Sequence, residues 1–162
     1  MHKHNAGPIF VALVVWLGWS ATSAEARERI EFESVHINMV TSFDTLIVGD
    51  NADRFIALIR AQGAGRRISG PVEPPYSIEI WGTGDYADGM GEETGYGKFI
   101  FEDGSAFFEK WTGTAQNNRA VGTAIYYDGS GRFEGMTGGS NWDCTSMGDR
   151  FSCDVEGWIE VP

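Results

Sequence analysis

Histidine is nearly missing from this chain, and the position of each of its three copies matters. His2 and His4 fall in an N-terminal stretch ordered like a secretory signal peptide, so His36 is the only imidazole expected in the mature protein. A histidine-rich metal site or a proton-sharing imidazole pair is thereby excluded. Cysteine is scarce as well, with only Cys144 and Cys153. No Gly-x-Ser-x-Gly occurs: Asp128-Gly-Ser-Gly and Gly139-Ser-Asn lack the spacing and the following helix that a serine nucleophile needs. Positive charge is in deficit, 12 Lys and Arg against 23 Asp and Glu, for a net charge of -11. An acidic surface of this size repels phosphate backbones and anionic lipid, which argues against nucleic acid and membrane surfaces as partners. No second long apolar run follows Trp19, and no stretch has the period of an amphipathic helix.

The leader itself has three parts. Met1-His-Lys-His is a short positive region, Ile9 to Trp19 is apolar but too short to span a bilayer, and Ala24-Glu25-Ala26 is a small-x-small site. Cleavage is expected after Ala26, with Ala24 as the alternative. Residues 1–26 then form a signal peptide and residues 27–162 one domain, periplasmic or secreted. Lys3 and Glu25 leave together, so the net charge is unchanged.

What the rest contains is strand periodicity broken by glycine-rich turns. Ile30 and Phe32 alternate, and after an expected shift of phase near Ser34 the residues Val35, Ile37, Met39 and Thr41 share one side against His36, Asn38 and Val40. Arg54 to Arg60 is a short apolar run read as a strand, and Gln62 to Pro75, with its glycines and prolines, is expected to be the longest loop, a rim or lid. Strands follow over Tyr76–Trp81, Tyr96–Phe101, Ser105–Ala115 and Val121–Tyr127. With the last hairpin this makes about eight strands, the pattern of an all-β antiparallel sandwich or barrel. The spacing Gly89-x-Gly91-x-x-x-Gly95 returns as Gly129-x-Gly131-x-x-x-Gly135. With no helix after either copy this is no phosphate cradle, and the glycines are expected to permit bulges and bends.

The C-terminal hairpin can be solved for register. A two-residue turn at Gly148-Asp149 sets Met147 against Arg150 and Cys144 against Cys153, on a non-hydrogen-bonded pair where Cα atoms approach to about 4.5 Å. In an exported chain this predicts a disulfide. The same register gathers Trp142, Cys144, Phe151, Cys153, Val155, Ile159 and Val161 on a core face and sends Asn141, Asp143, Thr145, Asp154 and Glu156 to solvent.

Gly82-Thr-Gly-Asp-Tyr-Ala-Asp-Gly-Met-Gly, Gly95-Tyr-Gly-Lys-Phe-Ile-Phe-Glu-Asp-Gly, Trp111-Thr-Gly and Gly129-Ser-Gly-Arg-Phe-Glu-Gly-Met-Thr-Gly resemble the bacterial relatives of the allene oxide cyclase barrel. The resemblance covers roughly residues 76–162. It implies an eight-stranded antiparallel barrel of calycin or dirigent type with an apolar cavity, in a group that includes cyclases and carriers of small hydrophobic molecules. The matched positions are structural glycines and aromatics, and none of the plant cyclases' catalytic positions finds a counterpart here.

The residues that could line a site are therefore the strand aromatics Trp81, Tyr96, Phe99, Phe101, Phe107, Trp111 and Tyr127. Glu109 shares a face with Phe107 and Trp111; pointing inward, it would be desolvated and become a general acid or base, or an anchor for a polar ligand group. His36 is the other proton carrier on offer. Asp85, Asp88, Glu92 and Glu93 crowd one loop without calcium-loop spacing and read as solvated charge. No metal or cofactor is called for. The function expected is an exported barrel binding a small hydrophobic molecule; the alternatives are an isomerase or cyclase using Glu109 or His36, and a cell-surface interaction module using the loop Gln62–Pro75.

Overall fold

A computed structural model describes residues 27–51 and 53–162, and the leader read over residues 1–26 lies outside the described residues. Eight strands follow one another: β1 (Glu28–Ile47), β2 (Phe55–Ser69), β3 (Tyr76–Ala87), β4 (Met90–Ile100), β5 (Ala106–Gln116), β6 (Arg119–Ser130), β7 (Thr137–Met147) and β8 (Arg150–Val161), with one 3-10 turn at Gly131–Phe133. Each pairs antiparallel with its successor and β8 returns to β1, so the sheet closes into a barrel and has no free edge. Among the described residues no helix is long and apolar enough to cross a membrane.

The C-terminal hairpin takes the register derived from its turn. Met147 faces Arg150, Cys144 faces Cys153, and the two cysteines are bonded with their Cα atoms 4.0 Å apart. Asp143 lies opposite Asp154, as that register requires, and Arg119 on β6 bonds both carboxylate oxygens of Asp143, one at 2.8 Å. The repulsive pair is thus partly neutralised from the neighbouring strand. Because the disulfide closes a short loop, its removal is expected to cost about 2–3 kcal/mol. Thermal unfolding with and without reductant, and of a Cys144→Ser/Cys153→Ser double variant, checks this.

β1 and β2 depart from the expected pattern. The phase of β1 does not change near Ser34: Phe32, Ser34, His36 and Asn38 all face inward and are buried, while Ile37 and Met39 face out at 60% and 48% exposure. The bulge on this strand comes later, between Val40 and Ser42, and the irregularity near Ser34 is an extra residue on the β2 side. The reason is steric. Asn38 and His36 oppose Gly63 and Gly65 on β2, and a Cβ at Gly63 would fall 2.2 Å from Asn38 Oδ1. Those glycines, read as loop formers, are the room that two polar side chains occupy. Residues 55–69 are accordingly one strand, and the connection to β3 is only residues 70–75. It lies at the closed end of the barrel, where Glu73 meets Arg132 at 2.6 Å and Arg67 at 3.7 Å, so it is no rim for the open end.

The core occupies that closed end. Phe32, Tyr76, Phe99, Phe101, Phe107, Tyr126, Phe133 and Met136 form one buried cluster, with Phe99 stacked on Phe107 at 4.6 Å and Phe101 against Phe133 at 4.7 Å. The aromatic cluster fills the lower half of the barrel. The upper half, towards the β1–β2, β3–β4, β5–β6 and β7–β8 hairpins, is hollow.

Candidate functional site

That hollow is a cavity of about 640 Å³, within the range of small-molecule pockets. Its deep wall carries His36, Asn38, Ile78, Glu109, Trp111 and Ser140; Trp142, Cys144, Cys153 and Val155 line its middle, and Phe43, Tyr86, Glu93, Asp149 and Phe151 stand nearer the mouth.

Inward glycines shape it. A Cβ at Gly95 would lie 2.4 Å from Trp111 Cζ2, one at Gly122 2.3 Å from Trp142 Cζ2, and one at Gly91 2.3 Å from Tyr86 Cδ1. Each large ring lies flat over a neighbouring strand where that strand has no side chain. The rings therefore hug the wall and leave the centre open. Gly97 does the same for Glu109, whose Oε1 would be 2.5 Å from a Cβ there. This pairing of an inward aromatic or carboxylate with an inward glycine on the adjacent strand is what the inward glycines of β4 and β6 provide.

Glu109 faces inward between Phe107 and Trp111, opposite Gly97 on β4 and Tyr126 on β6. Its carboxyl has no hydrogen-bond partner among the described residues, and burial pushes its pKa up to about 8. At neutral pH it is a protonated acid. His36 goes the other way: burial lowers its pKa to about 4, so it is neutral, and its Nε2 lies 3.0 Å from Tyr76 Oη and 3.2 Å from Ser34 Oγ. Such a ring is a weak base already engaged by hydroxyls. Tyr76 and Tyr126 are raised by burial, and Tyr86 by burial and by donating its O–H to Glu93. The cavity thus combines a neutral acid, a neutral imidazole and neutral phenols. It can donate a proton or a hydrogen bond to a bound molecule in a poorly solvated space.

Of the residues expected to bind or react, the structure brings Glu109, Trp111 and His36 to this cavity. Phe99, Phe101 and Phe107 belong to the packed end beneath it, 2%, 6% and 5% exposed, and so support the floor. Trp81, Tyr96 and Tyr127 are not brought in. They point outward, Trp81 at 39% and Tyr96 at 48% exposure, because Gly82, Gly95 and Tyr126 hold the inward phase of their strands. Glu79 shares the outward face of Trp81. The acidic loop is divided similarly: Asp85 is outside, paired with Arg54 at 2.7 Å, whereas Glu93 belongs to β4 and faces in. Among the wall residues, Glu93 reads in the sequence as solvated charge, and Asn38 and Tyr86 carry no site reading there.

No family model matches the chain, and no curated protein matches it. Solved structures do. A conserved protein of unknown function from Rhodopseudomonas palustris is similar over 83% of this chain and 99% of its own, at 10% identity and a TM-score of 0.51. A protein of unknown function from Clostridium acetobutylicum aligns over the same shares at 15% identity and a TM-score of 0.51. A pterocarpan synthase dirigent protein aligns over 91% of this chain and 99% of its own, at 8% identity and a TM-score of 0.50. What is shared is the eight-stranded barrel. These likenesses show the barrel fold alone, and the resemblance to the allene oxide cyclase group is not confirmed as a family by them.

Proposed function

We propose that the protein is an exported barrel that binds one small, largely hydrophobic molecule in the cavity above the aromatic floor. The observation that carries this reading is the cavity itself. Side chains could have filled a barrel of eight strands, yet the large rings lie against glycines and leave about 640 Å³ between them. The disulfide supports an oxidising compartment, in keeping with the leader-like N-terminus. Native mass spectrometry of protein isolated from its own cells is expected to retain a small molecule, and the emptied protein is expected to bind the neutral dye Nile red. Ala120→Trp, which places an indole in the cavity, is expected to weaken dye binding at least tenfold. An unaltered protein that retains nothing and binds no dye would refute the reading.

A second reading, an isomerase or cyclase on the same barrel, is favoured by one observation: Glu109 is held protonated among aromatic walls, as a general acid must be. It predicts that Glu109→Gln abolishes turnover of a cavity-bound substrate while retaining its binding.

A further inference from the structure

Every ionic side chain on the cavity wall is acidic. Glu93 faces in from β4, Glu109 from β5, and Asp149 stands at the mouth in the β7–β8 turn, while among the described residues no lysine or arginine contributes to the lining. The inward basic group, Arg67, is at the closed end and paired with Glu73 at 3.7 Å. Glu109 adds a separate observation: it is aimed inward between Phe107 and Trp111, and its carboxyl has no hydrogen-bond partner among the described residues. Trp111 and Trp142 meet edge to face at 6.0 Å on the same wall.

We propose that the cavity selects small organic amines, an apolar body carrying one protonated amino group. This rests on the small-molecule reading above and names the ligand's class. An ammonium group is a donor only, and the cavity wall offers it the Glu109 carboxylate as acceptor. Indole faces attract a desolvated cation, and the field of a chain with net charge -11 gathers cations at the acidic mouth. A ligand carboxylate would meet no positive group and would add a like charge near Glu93 and Asp149. A wholly apolar molecule would leave the Glu109 carboxyl buried without a partner, which is costly.

The proposal fixes a proton balance. When the ammonium docks, Glu109 changes from acid to carboxylate and its proton leaves to solvent, so one ion pair forms and one proton is released. The titratable or charged groups that face Glu109 from the surrounding elements are His36 on β1, Arg67 on β2, Tyr76 and Tyr86 on β3, Glu93 on β4, Tyr126 on β6 and Asp149 in the β7–β8 turn. Burial keeps His36 and the three tyrosines neutral at neutral pH, and Arg67 is held by Glu73. Glu109 is therefore the group that gives up the proton.

Isothermal titration calorimetry of the purified protein tests this with three probes of one body: naphthylethylamine, its alcohol and its carboxylate analogue. At pH 8 the amine is expected to bind at least about tenfold more tightly than either other probe, and its affinity to fall about tenfold per unit as pH drops from 7 to 5. Titrations in buffers of different ionisation enthalpy are expected to report about one proton released per amine at pH 6. Glu109→Gln should reduce amine affinity at least about tenfold more than alcohol affinity. The proton count on the unaltered protein does not depend on that variant folding. An alcohol or carboxylate that binds as tightly as the amine, or amine binding without proton release, overturns the amine assignment and leaves the hydrophobic cavity standing. Absence of binding by all three probes and by Nile red overturns both.

Discussion

Glu109→Gln is expected to raise the unfolding free energy by about 3 kcal/mol at pH 7 and to change it little near pH 4. The carboxyl has a pKa near 4.5 in the unfolded chain and about 8 in the barrel, so the native state holds its proton more tightly. Between those values the native state binds more protons than the unfolded state, and stability falls as pH rises. Below about pH 4.5 the penalty vanishes, and above about pH 8 it is constant. His36 acts with the opposite sign. Its pKa falls from 6.5 to about 4 on folding, the unfolded state binds the extra proton, and stability is lost as pH drops through that window. The two slopes oppose each other between about pH 4.5 and 6.5, which gives the unaltered protein a broad optimum there, followed by a decline to pH 8. In Glu109→Gln only the histidine limb remains, so stability should climb to about pH 6.5 and stay level. Unfolding midpoints from pH 4 to 9 measure this, with a difference of roughly 10 °C expected at pH 7. Equal midpoints for variant and parent at pH 8 would mean that the carboxyl is not desolvated.

Phe107→Ala is expected to cost about 3–5 kcal/mol, the range for emptying a well-packed aromatic site. Its ring is 5% exposed and contacts Phe99 at 4.6 Å, Tyr126 at 5.1 Å and Phe133 at 5.2 Å, all in the closed end. Trp81→Ala, on the outer face, should cost less than about 1 kcal/mol despite removing a larger ring. Chemical denaturation of the two variants separates floor from surface. A loss below about 1 kcal/mol for Phe107→Ala would show that the closed end is loosely filled and that the cavity extends through the barrel.

These expectations depend on which way each side chain points, and the sequence was unequally informative about that. In the last hairpin the turn Gly148-Asp149 and the pair Cys144 and Cys153 each demand the same register, so every face assignment there is confirmed by the pairing. In β1 the local pattern misleads. Val35, Ile37 and Met39 look like a core stripe, but their β-branched and flexible side chains lie outside while Ser34, His36 and Asn38 lie within. Nothing local to β1 reveals this, because the space for His36 and Asn38 is made by Gly63 and Gly65 on another strand. Trp81 and Tyr96 misled for a related reason. Aromatic residues suit strand surfaces of either face, and the deciding residues were the small glycines beside them.

The sequence by itself determined the strand count, the class of fold and the terminal disulfide, all of which follow from period-two alternation, turn chemistry and a single register. It also placed Glu109 and Trp111 on one face of β5. Only the tertiary structure decided which face that was, and that the barrel's upper half is hollow. The physical reason is that a cavity is a property of facing strands: whether Trp111, Trp142 and Tyr86 fill the barrel or line it depends on glycines at Gly95, Gly122 and Gly91, each on a neighbouring strand that only the closed sheet brings alongside.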